Sequence, residues 1–451
     1  RMGYNPIKVS QAYYCEDPFL NQLGVNPVFN LLTSTLDDNR KENRTLHLMS
    51  EEDALSKVQK YLHRQGIDRL SPIARKVERE GTPNRRNVVL VFMESMSANL
   101  MGTFGSDKKL TPYLDSLYQQ SLSFSHFYSS GIHTNHGIYS TLYSFPAIMK
   151  RNAMKGSVIP VYSGLPTVLQ ENGYCNLFFM THESQYDNMN AFLRTNGFDE
   201  IYAQENYPSE KVVNSFGVQD DFMYQYALPI LNERAGTGNP FFSVLLSISN
   251  HPPYVIPPYF HPHSDVLEEQ IVEYADWSIR QFMQAAEKQP WFDNTIFVFL
   301  GDHGKMVGTP ECEMPQSYNH IPLMIYGKDI KPGVYDGFGG QVDVSPTLLG
   351  LLNISYLQNN FGVNLLEEER PCMFFTADNL IGARDSVNMF IYSPDSQQEF
   401  KYKLEEGKLH AATGTDEEAF RNLKDYCFSM LQSTESLVKE HKTLDKVSVK
   451  K

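Results

Sequence analysis

Strand-like and helix-like patterns alternate along most of this chain, and that order predicts an α/β protein. The expected architecture is a mostly parallel sheet sandwiched by helices, with a small C-terminal antiparallel sheet and an N-terminal helical linker. Three observations carry it. Apolar runs at 88–93, 176–180, 242–248, 296–300 and 322–326 are near-continuous, as strands buried on both faces are. Helical patterns at 111–121, 166–172, 270–287 and 345–352 fall between or after them. From about residue 367 the runs at 372–376, 389–392 and 400–404 become short and partly alternating, which fits antiparallel strands.

Taken in order, residues 1–86 mix apolar patches with charged stretches. Residues 27–32 and 51–65 read as short helices, and 37–44 and 75–86 as polar linker. Residues 87–366 are the expected catalytic domain. Residues 367–451 are a small α+β unit, with a turn at 405–408, a helix at 416–442 and a frayed Lys-rich tail. A chain of 451 residues, 41% hydrophobic, is long enough for two or three domain-sized units. The formal net charge of -14 argues against a nucleic-acid binder and gives no support for broad electrostatic docking on anionic lipid. Cys15, Cys175, Cys312, Cys372 and Cys427 are widely spaced with no C-x-x-C pair, so they announce neither a zinc site nor a disulfide framework. No segment is long and apolar enough to span a bilayer, and no signal peptide is visible.

The candidate chemistry lies where strands end, because ligands of open α/β sheets bind beyond the carboxyl ends of the strands. The run 296–300 leads into G-D-H-G, which sets Asp302 and His303 side by side at such an end. The run 87–93 closes on Glu94, read either as a solvated or helix-capping residue or as a cation ligand. G-I-H-T-N-H-G (131–137) reads as a loop opening a helix, where free amides and the helix dipole favour an anion. Thr134 within it is either an N-cap or a nucleophile, since metal coordination activates a hydroxyl. Glu94, Thr134, Asp302 and His303 together would supply a hard, mostly oxygen donor set. Such a set suits one divalent ion, Mn²⁺ or Mg²⁺, with Zn²⁺ admitted by the imidazole.

This order of motifs resembles the sulfatase and alkaline phosphatase superfamily, and within it the lipoteichoic acid synthases and related phosphoglycerol transferases. V-F-M-E-S (91–95) resembles the family's first metal-ligand strand, and H-T-N-H-G (133–137) stands where relatives carry an R-T-x-R-G-like nucleophile loop. Y-D-N-M-N-A-F-L-R-T-N-G-F-D (186–199), S-N-H-P-P-Y (249–254) and Q-V-D-V-S-P-T-L-L-G-L-L (341–352) resemble later family segments. The likeness runs from about residue 87 to residue 354. It implies an alkaline phosphatase/sulfatase-like fold. It implies one divalent ion, most often manganese, on Glu94, Thr134, Asp302 and His303. Thr134 would be the nucleophile of a phospho-threonine intermediate. His251 would contact the substrate phosphate or act as acid/base, its alternative being a plain loop histidine before Pro252-Pro253. The resemblance also implies a membrane phospholipid or envelope glycan as substrate. The catalytic domain would lie outside the cytoplasm, periplasmic or extracellular, on an upstream membrane anchor lost from a chain that opens on Arg1.

Several positions depart from the family pattern. His133 and His136 stand where relatives often have Arg, whose fixed fork holds phosphate in a way histidine does not. Relatives that transfer glycerol phosphate carry a Trp and an Arg where Asp187 and Met189 stand, which leaves that head group open. His182 and Glu183 either line the pocket or are ordinary loop residues. The substrate histidine of phosphoethanolamine transferases is missing around Met314, Pro315 and Gln316, and His320 reads more readily as structural than as a substrate contact. A true sulfatase is disfavoured, because the formylglycine motif C/S-x-P-x-R is absent and Thr134 cannot be converted. The readings that compete are therefore a phosphoalcohol transferase, a hydrolase of phosphate or sulfate esters, and a non-catalytic domain that binds a head group or glycan.

Overall fold

The computed structural model describes residues 46–67, 70–156, 159–405, 407–412 and 417–445. The helix expected at 27–32, the linker at 37–44, Cys15 and most of the Lys-rich tail lie outside them. Ser50 Oγ accepts the Asp53 amide at 3.1 Å and starts α1 (Glu51–Tyr61), which ends four residues before the expected 65. The stretch 75–86 is not all linker. It contains β1 (Arg75–Val77), paired antiparallel with Tyr356–Gln358. Its charges, which read as solvated, are spent on the chain they pack against: Arg75 pairs with Glu368 at 2.5 Å, and Arg79 pairs with Glu367.

The main sheet has eight strands. In chain order the elements are β2 (Asn87–Met93), α2 (Pro112–Gln119), β3 (Leu122–Tyr128), α3 (Thr134–Tyr143), α4 (Leu165–Glu171), β4 (Cys175–Met180), α5 (Met189–Thr195) and β5 (Glu200–Tyr202). A small hairpin, β6 (Val212–Asn214) and β7 (Gly217–Val218), leads to α6 (Asp220–Ala235). Then come β8 (Phe241–Leu246), α7 (Leu267–Ala286), β9 (Thr295–Gly301), β10 (Leu323–Tyr326), β11 (Gly333–Gly340), α8 (Val344–Leu351) and β12 (Tyr356–Gln358). The spatial order is β11-β3-β10-β9-β2-β8-β4-β5, parallel except for β10, which runs antiparallel to both neighbours.

The continuous hydrophobicity of β2 follows from its central place. Val88, Leu90 and Phe92 enter one core, whereas Val89, Val91 and Met93 enter the other, on the opposite face of the sheet. Strand β9 divides in the same way, with Ile296, Val298 and Leu300 against Phe297 and Phe299. Strands β3 and β11 escape a sequence reading. L-S-F-S-H-F-Y mixes polar residues into its apolar run, and G-V-Y-D-G-F-G-G has the composition of a turn. Helix α6 is masked by its internal Pro229.

The C-terminal part is a five-stranded antiparallel sheet of β13 (Met373–Thr376), β14 (Ile381–Arg384), β15 (Asn388–Ser393), β16 (Gln398–Glu405) and β17 (Lys408–Ala411), paired in that order. Helix α9 (Glu417–Lys439) crosses it, with the Tyr392 and Phe428 rings 4.8 Å apart, and Tyr426 meets Tyr61 of α1 at 5.0 Å. A buried bidentate pair of Arg370 with Asp343 (2.6 and 2.7 Å) pins the entry to this sheet onto the start of α8.

Candidate active site

Strands β2 and β9 are adjacent and parallel, with Met93 opposite Gly301. The residues that follow each strand, Glu94 and Asp302, therefore emerge side by side at the carboxyl edge of the sheet. Both carboxylates are fully buried. Asp302 Oδ1 accepts the amides of Ser95 and His303, each at 2.8 Å, while its Oδ2 has no hydrogen-bond partner. Glu94 Oε1 accepts the Ser95 hydroxyl at 2.6 Å. Burial, and then the neighbouring charge of Asp302, push the Glu94 carboxyl well above its usual range.

His303 completes the group. Its Nδ1 lies 2.8 Å from the Gly304 carbonyl, which can only accept, so that nitrogen carries the proton. Nε2 is left as a lone pair, 3.5 Å from Asp302 Oδ2 and 3.8 Å from Glu94 Oε1. One donor atom from each of Glu94, Asp302 and His303 lies within 4.8 Å of the others. Two buried carboxylates, an orphaned oxygen and an oriented imidazole form a site that is electrostatically unbalanced by itself and suited to a divalent cation.

Thr134 is the first residue of α3, and His133 is its N-cap. Thr134 is therefore not the N-cap, the His133 side chain makes no capping bond, and the threonine hydroxyl lies 3.4 Å from Glu94 Oε2. Helix α3 reaches this point because Gly137 has no side chain: a Cβ there would meet the Asp302 carbonyl oxygen at 2.2 Å. Gln341 ties the pieces together. Its amide donates to the carbonyls of Gly301 and Asp302 (3.1 and 2.7 Å) and accepts the Ser130 amide at 3.0 Å.

The other sequence candidates spread around this centre. His133 Nε2 is 2.5 Å from Asp378, a residue of the turn between β13 and β14 that no sequence motif marks. His136 is buried beneath the loop, bonded to the Arg151 carbonyl at 3.2 Å, and burial pushes its imidazole down to about 3. Asp187 accepts from Asn135 and Lys155, each at 3.0 Å; burial raises its carboxyl, but these partners outweigh it and leave it below the usual value. His182 is buried with Nδ1 at the Glu183 carbonyl (3.0 Å) and an unpartnered Nε2, its ring 4.8 Å from Tyr186. The His251 ring lies 4.2 Å from that of Phe216, tilted by 47°, with Nδ1 2.6 Å from the Pro252 carbonyl. His320 is wedged between Phe104 and Tyr128 with Nε2 on the Ser125 carbonyl, so its ring serves packing at the sheet.

Sequence reasoning also missed Lys305 and Asp220, and it quoted Asn250 within S-N-H-P-P-Y without giving it a part. Lys305 Nζ donates to Asn250 Oδ1 at 2.6 Å, and burial pushes its amine down to about 8. Asp220, at the start of α6, accepts the amides of Ile248 and Ser249 and so holds the loop that carries Asn250 and His251. Burial pushes its carboxyl up to about 6. Lys305 directly follows D-H-G, which is the only signal that would have pointed to it.

The family model for sulfatases matches residues 86–354. This chain belongs to the sulfatase family. Among curated proteins it is similar to the lipoteichoic acid synthase-like protein YvgJ of Bacillus subtilis, 25% identical over 362 residues, covering 73% of this chain and 56% of YvgJ. It is also similar to the lipoteichoic acid synthase of Staphylococcus aureus, 24% identical over 400 residues, covering 78% of this chain and 58% of that protein. The chain thus spans little more than half the length of these relatives. Among solved structures, an alkaline phosphatase superfamily protein from Vibrio parahaemolyticus superposes with a TM-score of 0.78 at 25% identity, covering 88% of this chain and 97% of that one. The lipoteichoic acid synthase LtaP of Listeria monocytogenes superposes with a TM-score of 0.68 at 22% identity, covering 85% and 98%. This sulfatase-family chain therefore has the alkaline phosphatase/sulfatase-like fold. Among its described residues no helix is long and apolar enough to cross a membrane.

Proposed function

We propose that this protein is a metal-dependent phosphoalcohol transferase, similar to phosphoglycerol transferases, with Thr134 as its nucleophile. The observation that carries the proposal is the Thr134 hydroxyl 3.4 Å from Glu94, at a helix N-terminus, beside the Glu94–Asp302–His303 cluster. The similarity to lipoteichoic acid synthases supports it. Glu94, Asp302 and His303, with Thr134, would hold one divalent ion; the donor set suits Mn²⁺ or Mg²⁺, with Zn²⁺ admitted by the imidazole, and the resemblance to lipoteichoic acid synthases favours manganese. When bound, such an ion lowers the pKa of a hydroxyl and polarises a phosphoryl oxygen.

The chain's own residues account for the rest of the chemistry. The first amides of α3 offer donors to the phosphoryl oxygens. Thr134, its proton released to solvent, forms an Oγ–P bond as the P–O bond to the donor's alcohol breaks. His251, which stands between Asn250 and Pro252-Pro253, would give a proton from Nε2 to the leaving alkoxide and later take one from the acceptor hydroxyl. An envelope glycan or lipid hydroxyl as acceptor then forms a new O–P bond as the Oγ–P bond breaks and Thr134 regains a proton from solvent, which gives transfer. Water in the same position gives ester hydrolysis, the second reading, and the same donor set serves both. The donor we propose is an anionic membrane phosphodiester, and the site would then act outside the cytoplasm.

The test is metal content of the purified protein, paired with intact mass after incubation with phosphatidylglycerol. About one divalent ion per chain and a glycerol-phosphate adduct, absent in Thr134→Ala, are expected from the one-ion site. Metal without an adduct on this or any phosphodiester would move the assignment to ester hydrolysis. An adduct that persists in Thr134→Ala would end the nucleophile assignment.

A further inference from the structure

The Lys305 ammonium is held in an unusual way. One of its donors is used, on Asn250 Oδ1 at 2.6 Å, and the group lies 5.5 Å above the Tyr254 ring. The orientation of Asn250 is not free. Its amide nitrogen donates to the carbonyls of Glu94 and Ser95 at 3.1 and 3.2 Å, so its oxygen must face the lysine. The backbone of Lys305 is fixed as well, by exchange with Ser97 Oγ at 2.8 and 3.1 Å. Among the described residues, no carboxylate forms an ion pair with this ammonium, although it feels the charges of Glu268 and Glu94.

A half-buried lysine whose acceptor is a neutral amide retains two donors and lacks a counter-ion. Desolvating a charge without a partner is costly, so such a group is maintained where a ligand supplies the missing charge. The position fits this, since Lys305 lies two residues beyond His303, and Asn250 rests on the backbone of Glu94 and precedes His251. We propose that Lys305, oriented by Asn250, is a substrate-binding residue that donates to a non-bridging oxygen of the phosphoryl group. It would thereby supply a positive charge that His133 and His136, standing where relatives often have arginine, do not. This rests on the proposed function and names the residue that reads the anion at that site.

The test is isothermal titration of inorganic phosphate into the metal-loaded full chain, with metal stoichiometry and melting temperature recorded for every variant. Lys305→Met is expected to weaken phosphate binding by at least about tenfold, as loss of one charge-assisted hydrogen bond predicts. Lys305→Arg should restore most of it, and metal content should stay unchanged. Should Lys305→Met prove unstable, Lys305→Gln keeps a polar side chain on Asn250 and should show the same loss. Wild-type phosphate affinity in Lys305→Met or Lys305→Gln would overturn the inference while leaving the Thr134 adduct, and hence the proposed function, standing. No phosphate binding by the metal-loaded wild type would overturn the inference as well, and absence of the adduct in the separate mass experiment would show that the function had failed with it.

Discussion

Asp302 divides its two oxygens between two tasks. Oδ1 holds the strand end through two backbone amides, and Oδ2 is left bare toward the imidazole. Asp302→Asn keeps the first and replaces the second with an amide able to donate to Glu94. Metal content should therefore fall to near zero. The metal-free variant should be more stable than the metal-free wild type by on the order of 1 kcal/mol, because one buried repulsion becomes a hydrogen bond. Metal analysis and thermal melts in chelator check both statements, and a less stable metal-free variant would assign Oδ2 a structural part. Asp378 acts one step further out, through the His133 imidazole. Asp378→Ala should raise KM with metal content unchanged, since His133 then loses its orientation.

At the scale of elements, the site exists because β2 and β9 are parallel neighbours in register and because α3 closes on them. Gly137→Ala drives a methyl group into the Asp302 carbonyl, a backbone atom that has nowhere to go. It should cost about 3 kcal/mol, the upper part of the overpacking range, and loosen the metal site as well. An unchanged urea midpoint would contradict the contact. Helix α2 depends on a remote cap. The carboxylate of Asp276, in α7, accepts the amides of Leu114 and Tyr113 at 2.8 and 3.1 Å. Burial pushes that carboxyl from 3.8 up to about 7. The folded value lies above the unfolded one, so this group's contribution to stability is full below 3.8 and is lost as pH rises through about 7. Asp276→Asn should flatten the melting temperature across that window. A constant difference between wild type and variant across the window would show that the carboxyl is not shifted.

For the molecule as a whole, two buried acids and an imidazole at the carboxyl edge of the sheet would couple the proposed metal binding to folding. Removal of the ion by chelation should lower the melting temperature by several degrees, and manganese should restore it. An ion present at a hundred times its Kd adds about 2.7 kcal/mol to stability. Calorimetry with and without chelator measures this, and identical melts would mean that no ion is bound at this site. The C-terminal sheet belongs to the same question, because it delivers Asp378 to His133 and shares one hydrophobic core with α1, α9 and the main sheet.

Much of this was legible in the amino-acid order. Strands β2 and β9 announce themselves because central parallel strands are apolar on both faces. Glu94, Asp302 and His303 stand out because charged residues directly after such strands are placed at the edge where ligands bind. Pattern was silent where a residue's meaning depends on what it meets. The glycines of β11 spell a turn until β3 pairs with them, and Pro229 hides α6. Asp378 and Lys305 are ordinary surface-type residues until the fold sets one against His133 and the other on Asn250. The sequence by itself determined the fold class and the residues at the ends of β2 and β9, since these follow from local periodicity and adjacency, and the resemblance of its motifs to known relatives pointed to the family. Only the tertiary structure decided the strand order, the bare oxygen of Asp302, the tautomer of His303 and the partners of His133 and Lys305. Those depend on contacts between residues far apart in the chain, which local pattern does not encode.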